Sequence, residues 1–231
     1  MRSLLKLLAF PFTLVFRPEY KRVSRLGSGS PNPWIRKSSE IDGIMHKGEH
    51  ELLWDLAARG GPGHILEIGA WEGKSTCILA GACKEKSPDA RVFCVDSFDM
   101  GCTLWQESLH KQVHFDEQGT YYRFVSNAKR LGFYEWVVPV AGRSELVLPY
   151  LPVEFRLVFV DGGHGYEQVK KDVELALPKL LPGGLLAMHD ALGVTTSWPG
   201  VAKVVRESLS KDPSLKEHSR QASLLVFEKK V

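Results

Sequence analysis

His64-Ile65-Leu66-Glu67-Ile68-Gly69-Ala70-Trp71-Glu72-Gly73-Lys74-Ser75 carries the clearest structural signal in the chain. Its first five residues form a mostly apolar run and predict a buried strand. A loop bracketed by Gly69 and Gly73 follows, and a helix opens at Lys74. Strand, glycine loop and helix together place a ligand at the carboxyl end of a parallel sheet. The glycines let the backbone turn tightly and pass close to that ligand. A dinucleotide fingerprint needs G-x-G-x-x-G, so that phosphates can rest on bare backbone. Here the spacing is G-x-x-x-G with Trp71 in the middle, which suits a ligand without phosphates. Glu67, just before the first glycine, favours a cationic ligand over an anionic one.

The composition bounds the function class. At 231 residues, with 44% apolar and 25% charged side chains, the chain is long enough for one soluble α/β domain with a full core. Up to Lys37 there are eight basic residues and one acid, Glu19; the remainder carries 22 basic and 26 acidic residues. A mildly acidic body argues against nucleic acid as the substrate. Cys77, Cys83, Cys94 and Cys102 form no C-x-x-C pair and read as reduced thiols of a cytoplasmic protein.

Leu4 to Phe16 is nearly all apolar but too short for an ordinary membrane-spanning helix. No small-x-small cleavage site follows it, which argues against a signal peptide. Two readings of residues 1–25 stay open. One is a peripheral membrane anchor, with Arg17, Lys21 and Arg22 on anionic headgroups. The other is a segment packed on its own domain or on a partner subunit of a homo-oligomer. Gly27 to Pro33 reads as a linker. The expected division is therefore an extension over 1–37 and a folded domain over 38–231.

Strands are expected at Arg91–Val95, Val137–Val140, Arg156–Val160, Leu185–Met188 and Ser223–Phe227, with a short one near Leu215–Arg220. Helical spacing marks His50–Arg59, Ser75–Ala82, Tyr121–Leu131, the segment after Tyr166, and the one opened by Ser197-Trp198-Pro199-Gly200. Such alternation implies a doubly wound, mostly parallel sheet. Asp96 ends the second strand, where an acid can accept hydrogen bonds from both ribose hydroxyls of a ligand. Ser97 to Gln118 is a candidate substrate lid. His110 and His114 lie one helical turn apart and read as surface histidines. Asp161 and Asp190 close two further strands; side by side they repel unless a cation lies between them. His164 follows Asp161 on a glycine-rich loop and reads either as a cap or as a general base.

Glu67-x-Gly69-x-x-x-Gly73-x-Ser75 resembles the first motif of class I S-adenosylmethionine (SAM) methyltransferases. More narrowly, it is similar to the catechol O-methyltransferase-like and macrocin-type sugar O-methyltransferase groups. The resemblance covers roughly Ser38 to the C-terminus and implies a Rossmann-like sheet of seven strands. It implies that Glu67, Gly69, Trp71, Gly73 and Ser75 lie under the methionine half of SAM, with Ser75 on its carboxylate. Gly43-Ile44-Met45 would cover that half, Asp96 would hold the ribose, and the turn with Arg143 and Ser144 would line the adenine. Asp161 would border the cofactor and, with Asp190, bind a divalent metal, Mg²⁺ first and Mn²⁺ or Fe²⁺ as alternatives; His164 would be the base. His189 stands where the family usually has a carboxylate, so it either ligates and shifts the metal preference or does not ligate. The implied activity is metal-dependent methylation of a hydroxyl on a sugar or other small polyhydroxylated molecule. The alternatives are a SAM-binding protein without turnover and a metal-dependent hydroxylase on the same sheet.

Overall fold

The computed structural model describes residues 26–98, 119–192 and 198–231. The apolar and basic head, most of the candidate lid, Cys102, His110 and His114 lie outside them. Among the described residues no helix is long and apolar enough to cross a membrane.

Two helices precede the sheet, α1 (Pro33–Ser38) and α2 (Glu49–Ala58). Then come β1 (His64–Ile68), α3 (Lys74–Lys86), β2 (Val92–Asp96), α4 (Gly119–Leu131) and β3 (Val137–Ala141). The second half runs α5 (Ser144–Val147), β4 (Phe155–Val160), α6 (Tyr166–Ala176), β5 (Leu180–Met188) and α7 (Pro199–Glu207). β6 (Leu215–Gln221) and β7 (Leu224–Lys229) finish the chain. The seven strands lie in the order β3-β2-β1-β4-β5-β7-β6. The first five pair in parallel, and β7 runs antiparallel to both β5 and β6.

The central strands are covered on both faces, which is why their sequences are nearly continuous apolar runs. Successive side chains point to opposite faces. Leu157 and Phe159 of β4 therefore join a core with Leu53, Leu79 and Phe124 from α2, α3 and α4. Val158 and Val160 join a second core with Val169, Val173, Val201 and Val204 from α6 and α7. Glu67 faces the same side of β1 as Ile65, whose side chain belongs to the first core.

The packed body begins before the glycine- and proline-rich stretch ends. Asn32 caps α1, its side chain accepting the Trp34 N–H at 2.9 Å, and Pro33 follows at the first helical position. Trp34 lies on α3 at Gly81, where a Cβ would come within 2.3 Å of the indole. Polar and breaker residues thus serve here as a helix start. Pro182, Gly183 and Gly184, breakers just before the expected Leu185–Met188 strand, form a bulge inside a longer β5. Its register against β4 jumps from Phe155↔Leu180 to Leu157↔Leu185, with Gly183 at φ +73°. At the two edges of the sheet, β3 carries Pro139, and β6 exposes Lys216, Glu217, His218 and Arg220 apart from a half-buried Ser219.

Candidate active site

The parallel strands end at one edge, and the backbone ladder continues one residue beyond several of them. The N–H of Gly69 reaches Val95 O at 2.9 Å, that of Asp161 reaches Ile68 O at 2.8 Å, and that of His189 reaches Val160 O at 3.0 Å. The candidate site residues Gly69, Asp161 and His189 are thus positioned by the sheet itself. Gly69 adopts φ +93°, and a Cβ there would stand 2.2 Å from the Asp161 carbonyl oxygen. Only glycine allows that contact, which brings the loop after β1 directly against the end of β4.

Trp71 sits in the left-handed region at φ +44°. Its N–H donates to Asp96 Oδ2 at 2.8 Å, and the Phe98 N–H donates to Asp96 Oδ1 at 2.7 Å. Asp96 is therefore fixed beside the glycine loop, and each of its oxygens can accept more than one hydrogen. The turn after β3 comes to the same place, since the Gly142 N–H donates to Asp96 O at 2.8 Å. In that turn Arg143 is exposed and paired with Glu145 at 2.5 Å. Ser144 is buried and donates its hydroxyl to Asp172 of α6. Burial pushes the Asp172 carboxyl up to about 6 despite that hydrogen bond.

Glu67 is fully buried below the loop. Its two oxygens accept from Ser75 Oγ and Thr76 Oγ1, both at 2.5 Å. Desolvation outweighs these hydrogen bonds and raises its carboxyl from 4.5 to about 7. Between those values the folded chain holds a proton that the unfolded chain has lost. The associated stability is complete below pH 4.5 and is lost as pH rises through about 7. Glu67→Gln cannot ionise, so the wild-type stability should fall relative to this variant by about 1–3 kcal/mol across that window. Urea unfolding of both proteins at pH 4.5 and pH 7.5 reads the difference; parallel profiles would refute the buried acid. Lys74, also buried, donates to the carbonyls of Ser38 and Ile41 at 3.1 and 3.0 Å. It ties the segment before α2 to the first turn after the glycine loop.

Asp161, His164, His189 and Asp190 converge. The ligand atoms of Asp161, His164 and Asp190 all lie within 4.8 Å of one another. His164 Nε2 is 3.0 Å from Asp190 Oδ2 and 3.9 Å from Asp161 Oδ1. His189 Nδ1 is 3.0 Å from Asp161 Oδ1 and 3.5 Å from Asp190 Oδ2. Neighbouring ligands of one small divalent ion keep about 3 Å apart when the bonds to it are about 2.1 Å. The Nδ1 atom is also buried without a hydrogen bond of good geometry, an orphan aimed at the carboxylates. Burial opposes the charge on Asp190, but the hydrogen bond with His164 and then the neighbouring His189 hold its carboxyl well below the usual range. Burial likewise opposes the charge on His189, while Asp161, Asp190 and Glu49 drive its imidazole well above its ordinary value. Asp190 adopts φ +55°, a region that aspartate tolerates better than most side chains.

Three neighbours of this cluster are not assigned to the site by the sequence. Trp198 stacks on His164 with ring centroids 4.2 Å apart and planes 24° apart. Gly200 admits the start of α7 to within 2.3 Å of the His164 carbonyl oxygen, measured from an added Cβ. Glu49, the first residue of α2, faces His189 Nε2 at 3.1 Å. The available signal for Glu49 was an acid directly after a glycine at a helix start, and an acid in that place ordinarily means only a favourable helix dipole.

The profile of a family described as "Methyltransferase domain" matches residues 66–191. The chain belongs to this methyltransferase family. Solved structures with the same fold include the O-methyltransferase NovP, at 18% identity and a TM-score of 0.62, covering 87% of this chain and 89% of NovP. TomG of Streptomyces achromogenes, an O-methyltransferase of tomaymycin synthesis solved in complex with SAM, is 21% identical with a TM-score of 0.61. That match covers 96% of this chain and 94% of TomG. CalS11, a TDP-rhamnose 3'-O-methyltransferase of calicheamicin biosynthesis, is 17% identical with a TM-score of 0.58, over 78% of this chain and 77% of CalS11.

Proposed function

We propose that this chain is an O-methyltransferase that carries a methyl group from SAM to a hydroxyl of a sugar or other polyhydroxylated small molecule, assisted by a divalent cation. The observation that carries this reading is the convergence of Asp161, His164, His189 and Asp190 on the strand edge, in contact with the Gly69 loop. Asp161, His189 and Asp190 would hold the cation. Three carboxylates, Glu49, Asp161 and Asp190, face the single imidazole of His189. Even a charged imidazole leaves that group net negative, which favours a further cation. NovP, TomG and CalS11 are all named as O-methyltransferases, and the last as acting on a sugar, which agrees with a hydroxyl acceptor.

SAM supplies an activated methyl group on a sulfonium, and a divalent cation supplies positive charge that lowers the pKa of a nearby hydroxyl. The chain's own residues do the rest. Gly69 and Gly73 keep the loop backbone bare toward the donor, and Asp96 accepts the ribose hydroxyls. Arg143 stands at the turn assigned to the adenine, whereas the hydroxyl of Ser144 is turned to Asp172. Ser75 would meet the methionine carboxylate after releasing Glu67. His164 takes the proton of the acceptor hydroxyl. With Nε2–H donated to Asp190, the lone pair is on Nδ1, and the imidazolium formed there is stabilised by the Asp190 carboxylate.

The test is release of S-adenosylhomocysteine by the full-length chain with SAM and a panel of sugars and catechols. Activity with Mg²⁺ or Mn²⁺ that disappears on chelation is expected. Full activity after exhaustive chelation would remove the cation from the mechanism. No turnover with any acceptor would favour a SAM-binding protein, and iron-dependent oxygen uptake would favour a hydroxylase. Asp96→Ala should weaken SAM binding at least about tenfold, because it removes two hydrogen bonds to a charged acceptor, each worth about 1.5–3 kcal/mol before compensation. Calorimetry giving the wild-type affinity for this variant would withdraw the ribose assignment.

A further inference from the structure

We propose that Glu49 is a positioning residue of this centre, holding the His189 ring so that Nδ1 is the nitrogen offered to a divalent cation. The inference rests on the cation reading above and extends it to a residue from a distant helix. Glu49 is fully buried at the start of α2. Its Oε1 accepts from Ser223 N–H at 2.8 Å and from Ser223 Oγ at 2.7 Å; its Oε2 accepts from the His46 N–H at 2.5 Å. A carboxylate surrounded by donors can only accept, so the hydrogen shared with His189 Nε2 at 3.1 Å belongs to the ring. Once a cation takes the place of the proton on Nδ1, the ring is neutral, its hydrogen stays on Nε2 and its lone pair is on Nδ1. That is the buried nitrogen without a hydrogen bond, 3.0 Å from Asp161 Oδ1 and 3.5 Å from Asp190 Oδ2.

The surroundings leave the ring little freedom. His46 stacks over it with centroids 6.5 Å apart and planes at 15°, and Phe159 meets it edge-on at 6.1 Å. A buried carboxylate is a poor choice for packing alone, since an apolar side chain of similar volume often serves as well or better. Paired with an imidazole that faces two carboxylates, it completes a carboxylate–histidine–cation arrangement of the kind that orients a ligand and raises its basicity. A nitrogen donor among oxygens shifts preference from Mg²⁺ toward Mn²⁺, Fe²⁺ or Zn²⁺.

The test uses full-length protein and Mn²⁺ titration followed by electron paramagnetic resonance. Wild type is expected to bind one Mn²⁺ more tightly than Mg²⁺. Glu49→Gln should lose on the order of 10–100-fold in Mn²⁺ affinity, because an amide cannot accept from both His189 and the Ser223 and His46 donors. Ser223→Ala, which removes a hydrogen bond to Glu49 without touching His189, should lower Tm while changing Mn²⁺ affinity less than about threefold. A second readout holds even if Glu49→Gln fails to fold. In Zn²⁺-loaded wild type, ¹⁵N NMR should show His189 protonated at Nε2 and ligating through Nδ1. Equal Mn²⁺ affinity in wild type and Glu49→Gln, or a His189 protonated at Nδ1, overturns the role of Glu49 and leaves the cation site standing. No Mn²⁺ or Zn²⁺ binding by wild type overturns both.

Discussion

Asp190→Ala is expected to abolish methyl transfer, by at least about 10³-fold, while SAM affinity stays close to that of wild type. The carboxylate meets His164 at 3.0 Å and stands 3.5 Å from His189 Nδ1, so its loss strikes the proposed base and the proposed cation site together. It lies at the end of β5, whereas the glycine loop and Asp96 close β1 and β2, so the donor's contacts are spared. Because Asp190 holds φ +55°, alanine there adds backbone strain to the chemical loss. Asp190→Asn separates the two effects: asparagine tolerates this conformation and removes only the charge. Both variants should be inactive in S-adenosylhomocysteine release and should bind SAM by calorimetry. An active Asp190→Asn would place the chemistry elsewhere.

His164→Ala should lower turnover by about 10²–10⁴-fold, the range for a positioned general base. His164→Gln should fall as far, since an amide can hydrogen-bond to Asp190 but cannot take a proton. Trp198→Ala, which removes only the stacked ring at 4.2 Å, should cost much less. A His164→Gln variant with near wild-type turnover would reduce His164 to a ligand or a cap.

The strands that build the site were legible because parallel strands buried on both faces leave uninterrupted apolar runs. Each ended visibly in a polar residue: Asp96, Asp161, His189-Asp190. Their convergence follows from strand order, which local pattern does not encode; the resemblance to a known family supplied it. Side-chain direction was less accessible. Ser75 and Ser144 lie in the first turns of α3 and α5, and their hydroxyls turn to Glu67 and Asp172, contacts 8 and 28 residues away in sequence. Glu49 reaches His189 across 140 residues and Ser223 across 174. A contact of that span leaves no periodicity and no spacing, and becomes visible only once the sheet has brought α2, β5 and β7 together.

The two borders of the sheet bear on how copies of this chain can associate. An open strand border is a template on which another molecule can add a strand. Here Pro139 in β3 withholds an amide hydrogen at one border, and the charged residues of β6 line the other. Growth by strand addition is therefore disfavoured on both sides, which protects a mostly apolar sheet from fibrillar assembly. Among the described residues, the helical layers are the faces of the sheet domain left for another molecule to pack on.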